Sequence, residues 1–259
     1  MIKSCIDGKW KEFDSLHEAL GLQQDKQSVI SLVGGGGKTT TMCRLQKEYE
    51  LAQIPSIVTT TTHIQALEEE WFLGEPSIDG LKERLETFGK AWCGEVTKKG
   101  KLQSFPESFL REMISLGNSV IIEADGARRL PCKAPGPSEP VLVPETTVVL
   151  ALYGMDALGK PIKEICFRPE LVADLLGKSE EDVLTPSDIA VLAASERGGR
   201  KSVTSKVDYQ VILNKADGAK EQDAAKQIAE KLMDLGLIRV HVTDYLLDIS
   251  QFKFGKLKI

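Results

Sequence analysis

The stretch SVISLVGGGGKTTTM, Ser28–Met42, constrains this chain more than any other. A run of apolar and small residues leads into four consecutive glycines, Gly34, Gly35, Gly36 and Gly37, and Lys38 with three threonines then opens a segment of helical spacing. Glycines in series give up side-chain contacts and lose much backbone entropy on folding, so they mark a place where the main chain itself must approach something closely. Strand, glycine turn, Lys-Thr and helix is an arrangement that wraps backbone amides around phosphate at a helix N-terminus. The amides of residues 35–39 are expected to point inward, with Thr40 alongside. Lys38 would reach the β- and γ-phosphate oxygens, and the Thr39 hydroxyl would complete a Mg²⁺ shell. The long spacing G-x-x-x-x-G-K-[ST] needs a glycine at position 32, where the chain has Leu32; the shorter G-x-x-G-K-T-T, starting at Gly34, is what it carries.

Beyond this segment, PSIVTTT, NSVIIEADG, TTVVLALYG, YQVILNKADG and LIRVHVTDY read as strands, most of them apolar on both faces, and they alternate with helical stretches such as Lys38–Ala52 and AKEQDAAKQIAEKLMDLG. That alternation predicts an α/β fold, a three-layer α/β/α P-loop NTPase with a mostly parallel central sheet. Residues 1–259 are expected to form a single domain, with 62–118 and 127–146 as inserted or loop regions. Pro131, Pro135, Pro137, Pro140 and Pro144 make the second of these a long, stiff surface loop in expectation. Ligands of such sheets gather at the carboxyl ends of the strands, where the glycine loop, EADG and NKAD all fall.

In VIIEADG, Glu123 and Asp125 are candidates for holding Mg²⁺ or orienting an attacking water, and Gly126 for a close approach to the γ-phosphate. In VILNKADG, Asn214, Lys215 and Asp217 match the N-K-x-D guanine-reading pattern. The Asp217 carboxylate would accept from the guanine N1–H and amine, Asn214 would brace the loop, and the Lys215 stem would pack over the ring, which favours GTP over ATP. Thr59–Ile64 and His63 are candidates for a switch segment or plain strand formers. Arg128, Arg129 and Lys133 would meet phosphate or an anionic partner, or be solvated surface, and Cys132 reads as an ordinary thiol.

A net charge of −5 leaves no basic footprint for nucleic acid, and no apolar run is long enough to span a bilayer. The first residues lack the apolar region of a secretory leader. Five scattered cysteines without C-x-x-C argue against a disulfide framework and for a reducing cytoplasm.

Taken in order, LVGGGGKTTTM, VTTTTHI, IIEADGARRLPCKAPGPSEPVLVP and VILNKADG resemble the YqeC family, over about Leu16 to Tyr245. The resemblance implies a cytoplasmic accessory protein for the maturation of selenium-dependent molybdenum hydroxylases. The chain is similar, more distantly, to the metal-delivery GTPases that serve hydrogenase and urease, through the glycine loop, E-x-x-G (Glu123 and Gly126) and N-K-x-D, though without their His- or Cys-rich tracts. The expectation is therefore an NTPase with slow intrinsic turnover, Mg²⁺ as cofactor and GTP or ATP as substrate. Lys38, Glu123 and Asp125 would be catalytic, and a client metalloenzyme or cofactor-maturation protein the partner. Nucleotide switches of this kind often act as dimers. The short loop is also similar to that of the Mur ligases, so a small-molecule kinase or ATP-dependent ligase stands as the alternative, and a non-catalytic nucleotide sensor as a third.

Overall fold

The computed structural model describes residues 2–23, 26–98, 100–244 and, for the backbone, 254–255. The chain opens with a hairpin of β1 (Ile2–Ile6) and β2 (Lys9–Phe13), paired antiparallel. Its turn is Asp7-Gly8, both at positive φ, the angles a tight hairpin turn requires. The short helix α1 (Leu16–Ala19) has Ser15 accepting from the Glu18 amide. Then β3 (Val29–Gly34), α2 (Lys38–Leu51) and β4 (Ser56–Thr60) form the first β-α-β unit. Between β4 and β10 (Ser119–Glu123) the chain forms β5 (His63–Leu67), β6 (Phe72–Leu73), α3 (Ile78–Phe88), β7 (Lys90–Cys93), β8 (Glu95–Val96), β9 (Lys101–Gln103) and α4 (Glu107–Ser115). After β10 come β11 (Cys132–Lys133), β12 (Val148–Gly154), α5 (Ile162–Ile165), β13 (Cys166–Phe167), α6 (Pro169–Leu176) and α7 (Pro186–Ala194). The remainder is β14 (Asp208–Asn214), α8 (Ala219–Asp234), β15 (Arg239–Val242) and β16 (Phe254–Gly255).

Ten strands form one sheet in the order β2-β1-β15-β14-β12-β3-β10-β4-β7-β6. From β15 to β6 every neighbouring pair is parallel, and the hairpin adds two antiparallel strands at the β15 edge. Side chains alternate between two faces with a period of two. Ile30, Leu32, Val58, Ile121, Leu150, Leu152 and Ile212 pack on one face with Met42 and Leu45 of α2 and Leu16 of α1. Val33, Val149, Ala151, Val211 and Leu213 pack on the other with Ile189 and Leu192 of α7 and Ile228 and Leu232 of α8. Val29, Ile57, Val120 and Ile122 extend that second face under Leu81 of α3 and Met113 of α4. The fold is α/β with a large, mostly parallel sheet covered on both sides.

The stretch 62–118 contributes β6 and β7 to this sheet and α3 and α4 to its cover. A small antiparallel sheet of β16, β5, β9 and β8 stands beside it. The proline-rich segment departs from the expected surface loop. Pro131, Cys132, Lys133 and Ala134 are buried, and Cys132–Lys133 pairs in parallel with Cys166–Phe167. Prolines exclude long ladders but leave room for one short pairing between them. The predicted last strand appears as β15, and Tyr245 at its expected end lies outside the described residues. Among the described residues no helix is long and apolar enough to cross a membrane.

Candidate functional site

The glycine loop connects β3 to α2 at the carboxyl edge of the sheet, and three neighbouring segments close on it. The Gly35 amide donates to the Leu152 carbonyl at 2.9 Å, and the Gly36 amide to the Leu130 carbonyl at 3.1 Å. The Asn214 amide group donates to the Gly36 carbonyl at 2.8 Å. A Cβ on Gly34 would overlap the Leu152 carbonyl, on Gly35 that of Leu130, on Gly36 the Gly154 amide and on Gly37 the Asn214 side chain. Gly34, Gly36 and Gly37 also take positive φ values. The loop is glycine-rich because backbone packs against backbone here. Of the amides expected to point into a cradle, those of Gly35 and Gly36 are therefore engaged within the chain. Gly37 caps α2, whose first intrahelical turn begins with the Thr41 amide on the Gly37 carbonyl. The opening amides of a helix have no partner within it, which leaves those of Lys38, Thr39 and Thr40 without intrahelical acceptors.

Lys38 is buried and folds back over the loop. Its Nζ donates to the Gly34 carbonyl at 2.5 Å and lies 3.0 Å from Asp125 Oδ1 and 3.9 Å from Glu123 Oε1. Burial works against its ammonium, but Asp125 and Glu123 outweigh it and raise its pKa above the ordinary lysine value. Glu123 and Asp125 are both buried at the end of β10. They differ in what they touch. Asp125 Oδ2 accepts from the Gly34 amide at 3.0 Å and pairs with Lys133 Nζ at 3.1 Å, while Oδ1 faces Lys38. Glu123 Oε2 is buried with no hydrogen-bond partner among the described residues. Burial, with the Asp125 charge, lifts the Glu123 pKa to about 7 against the pull of Lys38 and Lys133. Thr39 is near enough for its hydroxyl to bond this carboxylate.

The ionic chain continues into the proline-rich segment. Lys133 Nζ also donates to the Gly126 carbonyl at 2.6 Å and pairs with Glu139 at 2.5 Å. Glu139 receives both terminal nitrogens of Arg168, at 2.6 and 3.1 Å. Burial would raise the Glu139 pKa, but hydrogen bonds from Arg168 and Lys133 hold it at about 2. Nothing in the sequence singles out Glu139 or Arg168, and Lys133 stands there as one of three cations. Such long-range pairing leaves no local periodicity to read. Cys132 lies beside Cys166, and that thiol together with burial pushes its own well above the usual range.

At the other end of the site, Asn214 closes β14. Its Oδ1 accepts from the Thr243 hydroxyl at 2.8 Å, so the side chain ties β14 and the chain after β15 to the glycine loop. Lys215 has a positive φ and pairs with Asp156 at 2.6 Å. Asp217 is exposed and, with Asp156, Lys215 and Glu221, lines an open cleft. The threonine run has a bracing role: the Thr60 hydroxyl and the Thr61 amide both donate to the Glu123 carbonyl, at 3.0 and 3.1 Å. His63 is exposed and begins β5.

Two comparisons with known proteins bear on this arrangement. A family model described as "YqeC protein" matches residues 30–170, from β3 through the proline-rich segment to the start of α6. The protein named "Uncharacterized protein YqeC" of Escherichia coli (strain K12) is 27% identical over 239 residues, 89% of this chain and 90% of that relative.

Proposed function

This chain belongs to the YqeC family, and on that premise we propose that it binds a Mg²⁺-nucleoside triphosphate across the glycine loop and hydrolyses it slowly. The proposal includes its role, as an accessory factor in the maturation of a molybdenum-containing, selenium-dependent hydroxylase, and a P-loop NTPase relationship for its fold. The observation that carries the nucleotide reading is Glu123 Oε2, a buried carboxylate oxygen without a hydrogen-bond partner among the described residues, beside Lys38 at the head of α2. A buried polar atom left unpaired costs about 1–3 kcal/mol, which an incoming ligand can recover.

The donor set fits a hard cation. Mg²⁺ takes one or two protein oxygens and leaves its remaining positions to phosphate and water, and Thr39 with Glu123 offers such a pair. Bound there, it would neutralise charge on the phosphate oxygens. Asp125 fits a different part: its Oδ2 accepts from the Gly34 amide, and its Oδ1, also without a hydrogen-bond partner among the described residues, is ion-paired with Lys38 at 3.0 Å, so it holds the lysine and the loop in place. Lys38 would turn from these carboxylates to the terminal phosphates and stabilise the charge that develops there. A Glu123 carboxyl with a pKa of about 7 can give up its proton as the cation arrives, or accept one from an attacking water. Asn214 would keep the loop in register while Asp217 reads the base, preferring guanine.

Calorimetry of the full chain with Mg²⁺-GTP and Mg²⁺-ATP tests the reading. Expected are saturable binding, tighter for GTP, and loss of both in Lys38→Ala. Absence of heat with either nucleotide overturns it. A defined phosphorylated metabolite formed in place of free phosphate would make the protein a kinase.

A further inference from the structure

The turn after Asp125 carries two arginines that neither the fold nor the proposed hydrolysis uses. Arg128 and Arg129 are both exposed and both take a positive φ, 48° and 65°. Two adjacent non-glycine residues in this region are strained and persist only where the surroundings enforce them. Here they do. The Leu130 amide closes the turn on the Ala127 carbonyl at 2.9 Å, the Leu130 carbonyl accepts from Gly36, and the Pro131 carbonyl accepts from Gly154 at 2.9 Å. The turn is thus fixed to the glycine loop on one side and to the end of β12 on the other.

Its charge is left over. Arg128, Lys133 and Arg168 surround the Phe167 ring at 5.0, 5.6 and 4.3 Å from its centroid. Lys133 is matched by Asp125 and Glu139, and Arg168 by Glu139. Among the described residues Arg128 has no carboxylate within ion-pair distance, and Arg129 reaches only the Gln65 amide oxygen, at 3.4 Å. Two guanidinium groups therefore stand at the rim of the site, one of them seated on an aromatic face. The planar guanidinium fork suits bidentate recognition of oxyanions, and stacking leaves its N–H edge open.

We propose that Arg128 and Arg129 form an oxyanion-binding arm for a phosphate group beside the glycine loop. The occupant is either the terminal phosphate of a bound nucleotide, which rests on the proposed NTPase function, or a phosphate on a second small molecule.

Titration of inorganic phosphate into the full chain at low ionic strength tests the arm without nucleotide. Expected is saturable binding that Arg128→Gln/Arg129→Gln weakens at least tenfold and that Arg128→Lys/Arg129→Lys weakens less. Both positions are exposed, and an unchanged thermal midpoint would verify that the variants fold. No saturable binding, or binding that ignores the arginines, overturns the proposal. Guanosine di- and triphosphate with Mg²⁺ then identify the occupant. A tenfold loss confined to the triphosphate in the glutamine variant assigns the arm to the terminal phosphate. Equal affinities, with inorganic phosphate still binding beside saturating nucleotide, assign it to a second molecule. A protein that binds phosphate through the arginines but neither nucleotide retains the arm and loses the proposed NTPase.

Discussion

The two ends of the candidate site are built on opposite principles. At the glycine-loop end the main groups are buried or half-buried and fixed by several contacts at once: Gly34, Gly35 and Gly36 against backbone and Gly37 against the Asn214 side chain, Lys38 between a carbonyl and two carboxylates, and an ionic chain running through Asp125, Lys133 and Glu139 to Arg168. At the NKAD end Asn214 and Ala216 are buried, but Lys215 is half-buried and Asp217 stands exposed in an open cleft. Positioning a flexible polyphosphate needs a surface arranged before the ligand arrives, and the stability of the molecule is coupled to that arrangement. Choosing a base needs one carboxylate in the right place, which the fold can alter at little cost.

The sharpest way to break this comparison is Lys133→Met. It leaves the buried Asp125 and the half-buried Glu139 with less compensation, and removal of one partner from such a cluster costs about 3–5 kcal/mol. Denaturant unfolding should show a loss of that size; a midpoint within experimental error of wild type would mean that the chain of charges is not structural. Gly36→Ala comes next, at about 2–4 kcal/mol, because its Cβ would overlap the Gly154 amide at a φ of 78°. Thermal unfolding measures it.

Glu123→Gln sharpens the picture through pH. The folded pKa of Glu123 lies at about 7, raised from an ordinary value of 4.5. Between those values the folded state holds a proton that the unfolded state has released, so its contribution is fully present below pH 4.5 and is lost as pH rises through 7. Relative to wild type, the glutamine variant should gain stability over this window, up to about 3 kcal/mol above roughly pH 8, while losing hydrolysis. Equal pH profiles for the two proteins would refute the raised pKa. The smallest effect on stability, within about 0.5 kcal/mol, is expected for the exposed Asp217→Asn, together with a loss of GTP preference over ATP of about tenfold. Competition binding with the two nucleotides reads it, and a large stability change instead would put both ends of the site in one rigid unit.

How much of this is legible in the sequence varies by element. The strands with continuous apolar runs, β3, β10, β12 and β14, are readable because residues buried on both faces leave no polar interruptions. The same property places the glycine loop, Glu123, Asp125 and Asn214 at one edge. The hairpin of β1 and β2 escapes such a reading, although Asp7-Gly8 is a turn signal; β2 is mostly exposed and so lacks the alternation that identifies a strand. The middle of the proline-rich segment is misread as surface, since its single two-residue pairing partner lies more than thirty residues away in sequence.

By itself the sequence determined the local matters: a parallel sheet, a glycine loop opening a helix, and acidic and amide groups at strand ends. These come from backbone geometry and from burial patterns that neighbouring residues share. Only the tertiary structure decided how the polar groups divide their work. It gave Asp125 to Lys38, Lys133 and the Gly34 amide, and left one oxygen of Glu123 without a hydrogen-bond partner among the described residues. It directed Asn214 to the loop and fixed two arginines at the rim. Charge pairing depends on distance in space, and the partners here come from segments that the sequence does not bring together.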